Sequence, residues 1–393
     1  MVSPLRWVVL CIFVFFTALN YLDRLLLAAL APTLKNEFHL SNAQYGGIIS
    51  VFSVVYALMA PVAGWFIDRA GLNVGVTVSM AVWSFAGMAT GLTRSFGGLL
   101  AARTLLGIGE AAGIPCGGKA NGLYLQPREF AFGTAMTQVG ITIGSIAAPL
   151  MVALIAPVYG WRSVFVVCGA LGFAWIPLWW FTAKKIPAPL AERSTVTGGI
   201  SEILKDRRIW GLAVANALVM TLYTLWTNWT TLYFVEEHHL TEIQANEHFA
   251  WIPPVFATLG GFAGGALAFR AIRSGTEVLG ARLRICWLAA SALLLTAAVP
   301  LMPSPALAAA LISFSFFWCL AISTNIYAMP IDFFGARHAA FAVAILTSSY
   351  GLMQTVLSPL IGSMVDHFGF PVVCVSLSVM PLMGIIALRV TTR

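Results

Sequence analysis

Charged side chains stand at four positions inside long apolar stretches of this sequence, where each could do chemistry. Asp23 and Arg24 are adjacent in "FFTALNYLDRLLLAALAP", and Arg103 and Glu110 lie seven residues apart in "RTLLGIGE". An arginine keeps its proton and can bind a carboxylate through two parallel N–H groups, so it suits an organic anion. A carboxyl group in low-dielectric surroundings favours its protonated form. Together these residue types indicate a site that binds an anion and a proton.

The composition places these charges in a membrane. The chain has 393 residues, of which 59% are hydrophobic and only 9% are charged, whereas about 25% of a soluble domain is charged. Its apolar segments are about 20 residues long, enough for an α-helix to cross about 30 Å of hydrocarbon. We predict an all-α membrane protein with twelve transmembrane helices, near residues 6–30, 43–67, 73–93, 96–122, 130–156, 161–181, 209–234, 247–270, 280–300, 305–329, 338–362 and 370–389.

The basic residues divide unevenly between the predicted loops. Lys and Arg accumulate in cytoplasmic loops, and here one set of loops holds most of the 22 basic residues. Both termini and residues 182–208 are therefore predicted to be cytoplasmic, in a multi-pass protein of the inner (plasma) membrane. This bias accounts for the net charge of +7 without a nucleic-acid partner. The exceptions are three residues in the opposite loops and three within spans: Lys35, Arg94 and Arg162, and Arg24, Arg103 and Lys119.

The chain divides into two similar halves. Residues 1–181 form one predicted six-helix half, 182–208 a cytoplasmic linker, and 209–393 the second half. Parallel repeats of this kind are typical of transporters in which two halves move about a central site, and this arrangement needs no second copy, so a monomer is predicted. In the clearest repeat, "REFAFGTAM" and "APLMVALIAPVYGW" of the first half are similar to "RHAAFAVAI" and "SPLIGSMVDHFGF" of the second. This alignment pairs Arg128 with Arg337, Phe132 with Phe341, Pro149 with Pro359 and Gly160 with Gly369.

Several other kinds of site are not indicated. The stretch "GIGEAA" matches a dinucleotide fingerprint, but it follows no strand and lies inside a predicted span. The six cysteines fall in apolar spans without a C-x-x-C pair, and the histidines of "VEEHHLTEIQANEH" have no metal-site spacing. No Ser-His-Asp or H-E-x-x-H pattern is present. Neither an enzyme nor a cofactor or metal is predicted; the proton is the coupling ion.

The predicted helices place the four charges at different depths. The first span starts on the cytoplasmic side, so Asp23 and Arg24 fall in its outer half. The fourth starts outside, so Arg103 lies about 10 Å down and Glu110 about 10 Å deeper, on one helix face. Charges inside spans are costly and indicate function. The alternative is a salt-bridge network that only holds helices together. Lys119, near the cytoplasmic end, is predicted to extend its amine to the interface.

The loop between the second and third spans identifies a superfamily. "GWFIDRAG", residues 64–71, resembles the G-x-x-x-D-R-x-G signature of the major facilitator superfamily. The resemblance implies that fold and a cytoplasmic gate formed by Gly64, Asp68, Arg69 and Gly71. Asp68 is expected to cap a neighbouring helix start, and Arg69 to pair across the halves. The alternative is a tight loop with ordinary solvated charges.

Four further stretches resemble the anion:cation symporter family, which includes hexuronate and galactonate transporters, sialin and vesicular glutamate transporters. They are "NYLDR", "ISVFSVVYALMAPVAGWFIDRAG", "RTLLGIGEAAGIP" and "GWRSVF". The resemblance implies proton coupling through Asp23 and Glu110, and a substrate or relay role for Arg24 and Arg103. The sequence departs from the family in having "TSSYGLMQ" where an Asn is frequent in the eleventh span, and Tyr327 where a Trp is frequent in the tenth.

Five uncharged residues complete the predicted substrate site. Tyr56, Gln138 and Tyr327 are expected to bond substrate hydroxyls, or alternatively to make ordinary interhelical hydrogen bonds. The seventh span, "LYTLWTNWTTLYF", adds Trp226 and Asn228 but no third arginine, which favours a monocarboxylate.

The sequence therefore predicts a proton-coupled symporter that imports a small organic anion by alternating access. A sugar acid such as a hexuronate or aldonate, or another monocarboxylate, is the expected substrate. The alternative is a proton-coupled drug or metabolite antiporter, a class that usually has acids without paired arginines.

Overall fold

The computed structural model describes residues 6–126, 129–186 and 200–392, and every regular element in these ranges is helical. Residues Asn246–Ala250 form a π-helical turn and Leu294–Leu301 a 3₁₀ helix. The α-helices are α1 (Arg6–Ala29), α2 (Ala31–Phe38), α3 (Asn42–Ala70), α4 (Leu72–Gly91), α5 (Phe96–Glu110), α6 (Gly113–Tyr124), α7 (Phe130–Tyr159), α8 (Trp161–Lys185), α9 (Ile200–Lys205), α10 (Arg207–His238), α11 (Glu242–Ala245), α12 (Ile252–Arg273), α13 (Val278–Leu293) and α14 (Pro305–Thr391).

Within the described ranges, eleven helices are long and apolar enough to cross a membrane, against twelve predicted spans. The difference lies in the segment Phe341–Thr391, which is 51 residues long. At 1.5 Å per residue it measures about 76 Å, more than twice the hydrocarbon thickness. It contains the predicted span 370–389 and all but the first three residues of the predicted span 338–362, and its backbone leaves the helical conformation at Gly369, where φ is 73°. The all-α membrane fold is thus confirmed, with the last two predicted spans joined at one glycine.

Glycine residues at corresponding helix boundaries also support the predicted repeat. Gly160, between α7 and α8, has φ 81° and ψ 158°, and Gly369 has φ 73° and ψ 176°. A side chain at this positive φ would be strained, so both positions favour glycine. Pro149 and Pro359, the aligned prolines, each lie inside a helix. Arg128 lies outside the described residues.

Contacts group the chain into two compact units. Unit 1 comprises Met1–Leu40, Gly47–Ser194 and Leu240–Trp251, and unit 2 comprises Ser41–Gly46, Thr195–His239 and Ile252–Arg393. The predicted division into halves joined by residues 182–208 stays a prediction, because residues 187–199 lie outside the described ranges.

Unit 1 is built around α1. This helix packs against α6, α7 and α8, while α4 packs against α5 and α8. Methyl groups at Gly140 and Gly144 of α7 would collide with the α1 backbone, so these glycines let the two helices approach closely. The aromatic rings of Phe13 and Phe16 on α1 contact Trp175 on α8. These contacts fix the position of the helix that carries Asp23 and Arg24.

Unit 2 is built around α10 and α14, which pack against each other, with α12 and α13 packed on α14. Methyl groups at Gly260 and Gly264 of α12 would collide with the backbone of α14 at Phe317 and Ala321. The side-chain amide of Asn216 donates to the carbonyl of Leu346 at 2.8 Å. Small residues four apart therefore bring helix backbones together, as is typical of membrane helices.

Candidate functional site

The pair formed by Arg24 and Glu110 is the centre of the candidate site in unit 1. Nε and Nη2 of Arg24 donate to the same oxygen of Glu110, Oε2, at 3.2 and 2.9 Å. The Glu110 side chain is fully buried, whereas that of Arg24 is 22% exposed. The other oxygen of Glu110, Oε1, is buried and accepts no hydrogen bond from the described residues. The arginine is thus the accessible member of the pair, and its carboxylate partner lies behind it.

A helix break positions Glu110. Pro115 has no N–H to donate to the carbonyl of Ala111, and its ring crowds that carbonyl, so an α-helix is disfavoured there. The structure accordingly ends α5 at Glu110 and begins α6 at Gly113. Glu110 is therefore the last residue of its helix, a position that the single predicted span 96–122 did not show.

Three aromatic rings surround the Arg24 guanidinium. Its carbon lies 5.0 Å from the ring centroid of Tyr21 and 4.9 Å from those of Phe52 and Tyr56. Ring faces at this distance attract a cation. The sequence predicted Tyr56 at the site but missed the other two rings. Their spacing gives a signal: Tyr21 precedes Arg24 by three residues and Phe52 precedes Tyr56 by four, so each pair shares a helix face.

Asp23 faces a different direction from its neighbour, because successive residues on a helix are about 100° apart. It is 2% exposed, and neither carboxylate oxygen accepts a hydrogen bond from an N–H or O–H group of the described residues. Gly87 of α4 and the thiol of Cys168 on α8 lie beside it. Asp23 is also close enough to Glu110 and Arg103 for their charges to interact.

Arg103 completes the charged cluster. It lies on α5, two turns before Glu110, is 1% exposed, and has its guanidinium 5.9 Å from the ring centroid of Phe165. Its charge interacts with those of both Asp23 and Glu110. The structure therefore brings together all four charges that the sequence selected, with two carboxylates and two guanidinium groups in unit 1.

The uncharged residues predicted at the site have mixed surroundings. Gln138 on α7 and Tyr327 on α14 are half-buried. Trp226 is buried and packs edge-on against Tyr233, with ring centroids 5.4 Å apart. The amide of Asn228 is also buried and donates to the carbonyl of Thr224 on its own helix. The substrate roles of these side chains stay predictions.

The signature loop has a partner that the sequence did not predict. Lys119 on α6 donates to the carbonyl of Ile67 at 2.8 Å and pairs with Oδ1 of Asp68 at 2.9 Å. Contrary to the prediction, Asp68 does not cap the start of the next helix. That helix, α4, begins after Gly71, whose φ is 85°, without a side-chain cap. The Lys119 amine thus lies at the C-terminal end of α3, where a cation is favoured, beside the exposed carboxylate of Asp68. Its extension to the membrane interface stays a prediction.

The remaining gate residues lie at the same end of α3. Arg69 is exposed and lies 5.8 Å from the ring centroid of Trp65, one turn earlier. Gly64 is within α3, where a methyl group would contact nothing within 4 Å. The gating role of this loop stays a prediction.

Comparison with known proteins identifies the family. The sequence profile described as "Major Facilitator Superfamily" matches residues 13–329. The chain belongs to the Major Facilitator Superfamily. It is 30% identical over 404 residues to a hexuronate transporter of Escherichia coli K12, covering 98% of this chain and 93% of that one. It is 32% identical to a galacturonate transporter of Dickeya chrysanthemi, covering 67% of this chain and 81% of that one.

A solved structure shows the same fold. A bacterial homologue of the human lysosomal transporter Spinster, in an inward-facing and occupied conformation, matches this chain with a TM-score of 0.84. The match covers 100% of this chain and 98% of that one at 20% identity. The major facilitator fold and a multi-pass membrane protein, both predicted from the sequence, are confirmed.

In this superfamily member the spacing of the signature loop recurs in unit 2. Gly362, Asp366 and Gly369 are separated as Gly64, Asp68 and Gly71 are. The carboxylate of Asp366 accepts hydrogen bonds from the backbone N–H groups of Asn42 and Ala43, at 3.0 and 2.9 Å. These are the first two residues of α3, so Asp366 satisfies donors that an α-helix leaves free. Sequence analysis missed this residue, although the G-x-x-x-D-x-x-G spacing was visible.

Proposed function

We propose that this protein is a proton-coupled symporter that imports a sugar acid, such as a hexuronate or aldonate, across the inner membrane by alternating access. The observation that carries the proposal is the Arg24–Glu110 pair, in which the guanidinium of the partly exposed Arg24 is held by one oxygen of a fully buried carboxylate. The relatives named as hexuronate and galacturonate transporters support the substrate class. The protein acts as a monomer with both termini in the cytoplasm.

Coupling follows from competition for the Arg24 guanidinium. While Glu110 is ionised, two N–H groups of Arg24 are directed at its Oε2. A proton on Glu110 removes the negative charge that holds them, so the guanidinium becomes available to the carboxylate of a substrate. Charge-assisted pairs of this kind are about twice as strong as neutral hydrogen bonds. Protonation of Glu110 and binding of the anion thus favour each other.

The aromatic rings give the site its preference for a sugar acid over other anions. The faces of Phe52, Tyr21 and Tyr56 hold the guanidinium in one orientation. The phenolic hydroxyls of the two tyrosines, which are half-buried, can bond to the hydroxyl groups of a sugar acid. A small carboxylate without hydroxyl groups would leave these phenols without that bond.

Asp23 provides a second proton-binding group behind the substrate site. Its buried carboxyl has no N–H or O–H donor among the described residues, and a buried carboxylate charge without such a donor is costly. Arg103 interacts with both carboxyl groups and links their charge states. The two carboxyl groups, together with the two arginines, keep the net charge of the cluster small as protons bind and leave.

Transport by the purified protein in liposomes tests the proposal. Uptake of labelled glucuronate, galacturonate and galactonate is measured with the outside acidic, with equal pH, and with the outside alkaline. We expect accumulation of at least one of these anions only when the outside is acidic, and its loss on adding a protonophore. Labelled glucose, which lacks a carboxylate, is the control.

Two outcomes would overturn the proposal. Accumulation driven by an acidic interior would identify a proton antiporter. Accumulation of the anion at equal pH with protonophore present would show that protons do not drive transport.

A further inference from the structure

A break in the backbone hydrogen bonding separates α1 from α2. Pro32 has no N–H to donate to the carbonyl of Ala28, and its ring crowds that carbonyl, so a continuous helix is disfavoured here. The structure accordingly ends α1 at Ala29 and begins α2 at Ala31. The helix that carries Arg24 thus ends about one and a half turns after it.

Two side chains bind the backbone groups that lose their usual partners at this break. In an uninterrupted helix the N–H of Thr33 would donate to the carbonyl of Ala29, four residues earlier. Here the Thr33 N–H donates to Oε2 of Glu242 at 2.9 Å. The Ala29 carbonyl accepts from Nδ2 of Asn246 at 2.8 Å. Glu242 and Asn246 therefore satisfy the two ends of a single broken backbone hydrogen bond.

The segment that carries these side chains presents them together. Glu242 and Asn246 are four residues apart, about one helical turn. The hydroxyl of Thr241 accepts from the N–H of Gln244, and the Gln244 side chain accepts from the N–H of Thr241, which fixes the first turn of α11. A π-helical turn then begins at Asn246, which is fully buried. Turns of this kind are frequent at functional sites.

The place of this segment in the chain differs from its place in the fold. Residues 241–250 lie between α10 and α12, which belong to unit 2, but the contacts of Leu240–Trp251 group them with unit 1. The segment also packs against α7, a neighbour of α1. A segment flanked in the chain by helices of unit 2 thus binds the C-terminal end of α1.

We propose that Glu242 and Asn246 are positioning residues that hold the break between α1 and α2 and thereby fix the orientation of Arg24. Two arrangements of the break compete. In one, the two side chains bind the free backbone groups; in the other, these groups bond to each other and α1 continues into α2. Only the first arrangement holds Arg24 against Glu110 and the three aromatic rings. The inference rests on the proposed function, in which Arg24 binds the anion.

A double-mutant cycle read by thermal unfolding tests the shared break. Glu242→Leu and Asn246→Leu each leave one backbone group without its side-chain partner, so each should lower Tm by about 2 °C or more. In the double variant the two backbone groups can bond to each other, so the loss in Tm should be no larger than that of the more damaging single variant. Glu247→Leu, which replaces an exposed acid of the same segment, is the matched control and should leave Tm unchanged.

The affinity for galacturonate tests the positioning of Arg24. Calorimetry at pH 6 should show binding about 2- to 10-fold weaker in Asn246→Leu, which loses a neutral hydrogen bond, and about tenfold weaker or more in Glu242→Leu, which loses a charged acceptor. Glu242→Gln keeps a neutral acceptor and should weaken binding about 2- to 5-fold, and it serves as the test should Glu242→Leu not fold. Glu247→Leu should bind as the parent does.

Each result decides the inference. Additive losses of Tm in the double variant would show that Glu242 and Asn246 do not share one break. Parental affinity in the Leu variants and in Glu242→Gln, at lowered Tm, would leave both residues with a purely structural role and overturn the positioning of Arg24. If the parent binds no sugar acid, the proposed function fails and the positioning role with it, while the double-mutant cycle still decides whether the break is shared. The two failures are therefore distinguishable.

Discussion

Replacing Glu110 by glutamine makes the competition for Arg24 measurable. The substitution removes the carboxylate charge but leaves one amide oxygen that can still accept a hydrogen bond. In the parent, Oε2 of Glu110 accepts from Nε and Nη2 of Arg24 at 3.2 and 2.9 Å, out of contact with solvent. Under the proposed competition, we therefore expect the variant to bind a sugar acid more tightly than the parent does at pH 8.

The hydrogen bonds of Glu110 limit how much the anion affinity can change. A hydrogen bond to a charged group contributes about 1.5 to 3 kcal/mol, and the glutamine oxygen retains part of it. If the interaction of residue 110 with Arg24 weakens by about 1.4 to 2.7 kcal/mol, the anion that competes for Arg24 should bind about 10- to 100-fold more tightly at pH 8. Accumulation driven by the proton gradient should be lost at the same time, since the variant cannot exchange a proton at this position.

Binding of galacturonate to the detergent-solubilised protein, measured by calorimetry at pH 6 and pH 8, provides the assay. Glu37→Gln is the matched control: Glu37 also pairs with an arginine, Arg162, at 2.9 Å, but both side chains are exposed. Its affinity for the anion should equal that of the parent. If Glu110→Gln shows the parent's affinity and the parent's pH dependence, the competition for Arg24 is wrong.

Three further predictions concern Arg24, the Lys119–Asp68 pair and Asp206. Arg24→Lys keeps the charge but not the two N–H groups directed at one carboxylate, so calorimetry should show anion affinity at least tenfold weaker; unchanged affinity would favour a purely structural pair. A double-mutant cycle of Lys119→Met and Asp68→Asn, read by thermal unfolding, should give a coupling of only about 0.2 to 1 kcal/mol, because the Asp68 side chain is 81% exposed; a much larger value would contradict this. Asp206 caps α10, and the hydrogen bond from Arg208 holds the pKa of the Asp206 carboxyl below its usual range. The ionised carboxylate therefore stabilises the fold fully above the unfolded pKa of about 3.9, and this stabilisation is lost as the pH falls below that value. Asp206→Ala should therefore lower Tm at pH 6 and have a smaller effect below pH 4, and an effect that is independent of pH would refute this.

The membrane fold and the charged cluster follow directly from the sequence. About 20 apolar residues in succession specify a spanning helix, and a charge within such a helix is costly enough to mark it. The seven-residue spacing of Arg103 and Glu110 places both on one face of α5. These inferences depend only on helix geometry and on the cost of burying charge.

The pairing within the cluster could not be predicted in the same way. Whether Glu110 bonds to Arg24 or to Arg103 depends on where the fourth span breaks, and the predicted helix was continuous there. The partners of Lys119, a carbonyl and a carboxylate at the end of α3, were likewise not predicted. Both results depend on how helices cross, which hydrophobic periodicity does not determine.

The packing of α1 against α8 has an optical consequence. The indole rings of Trp175 and Trp179 are stacked, with centroids 5.9 Å apart and planes at 10°, and Nε1 of Trp175 donates to the carbonyl of Ile12 on α1. Aromatic rings held in fixed tertiary packing give a near-ultraviolet circular dichroism signal, which is lost when that packing is lost. A rotation of α1, the helix that carries Asp23 and Arg24, would disturb the hydrogen bond and hence the signal of this indole pair. The native protein thus contains an unlabelled spectroscopic reporter on the helix that carries half of its charged cluster.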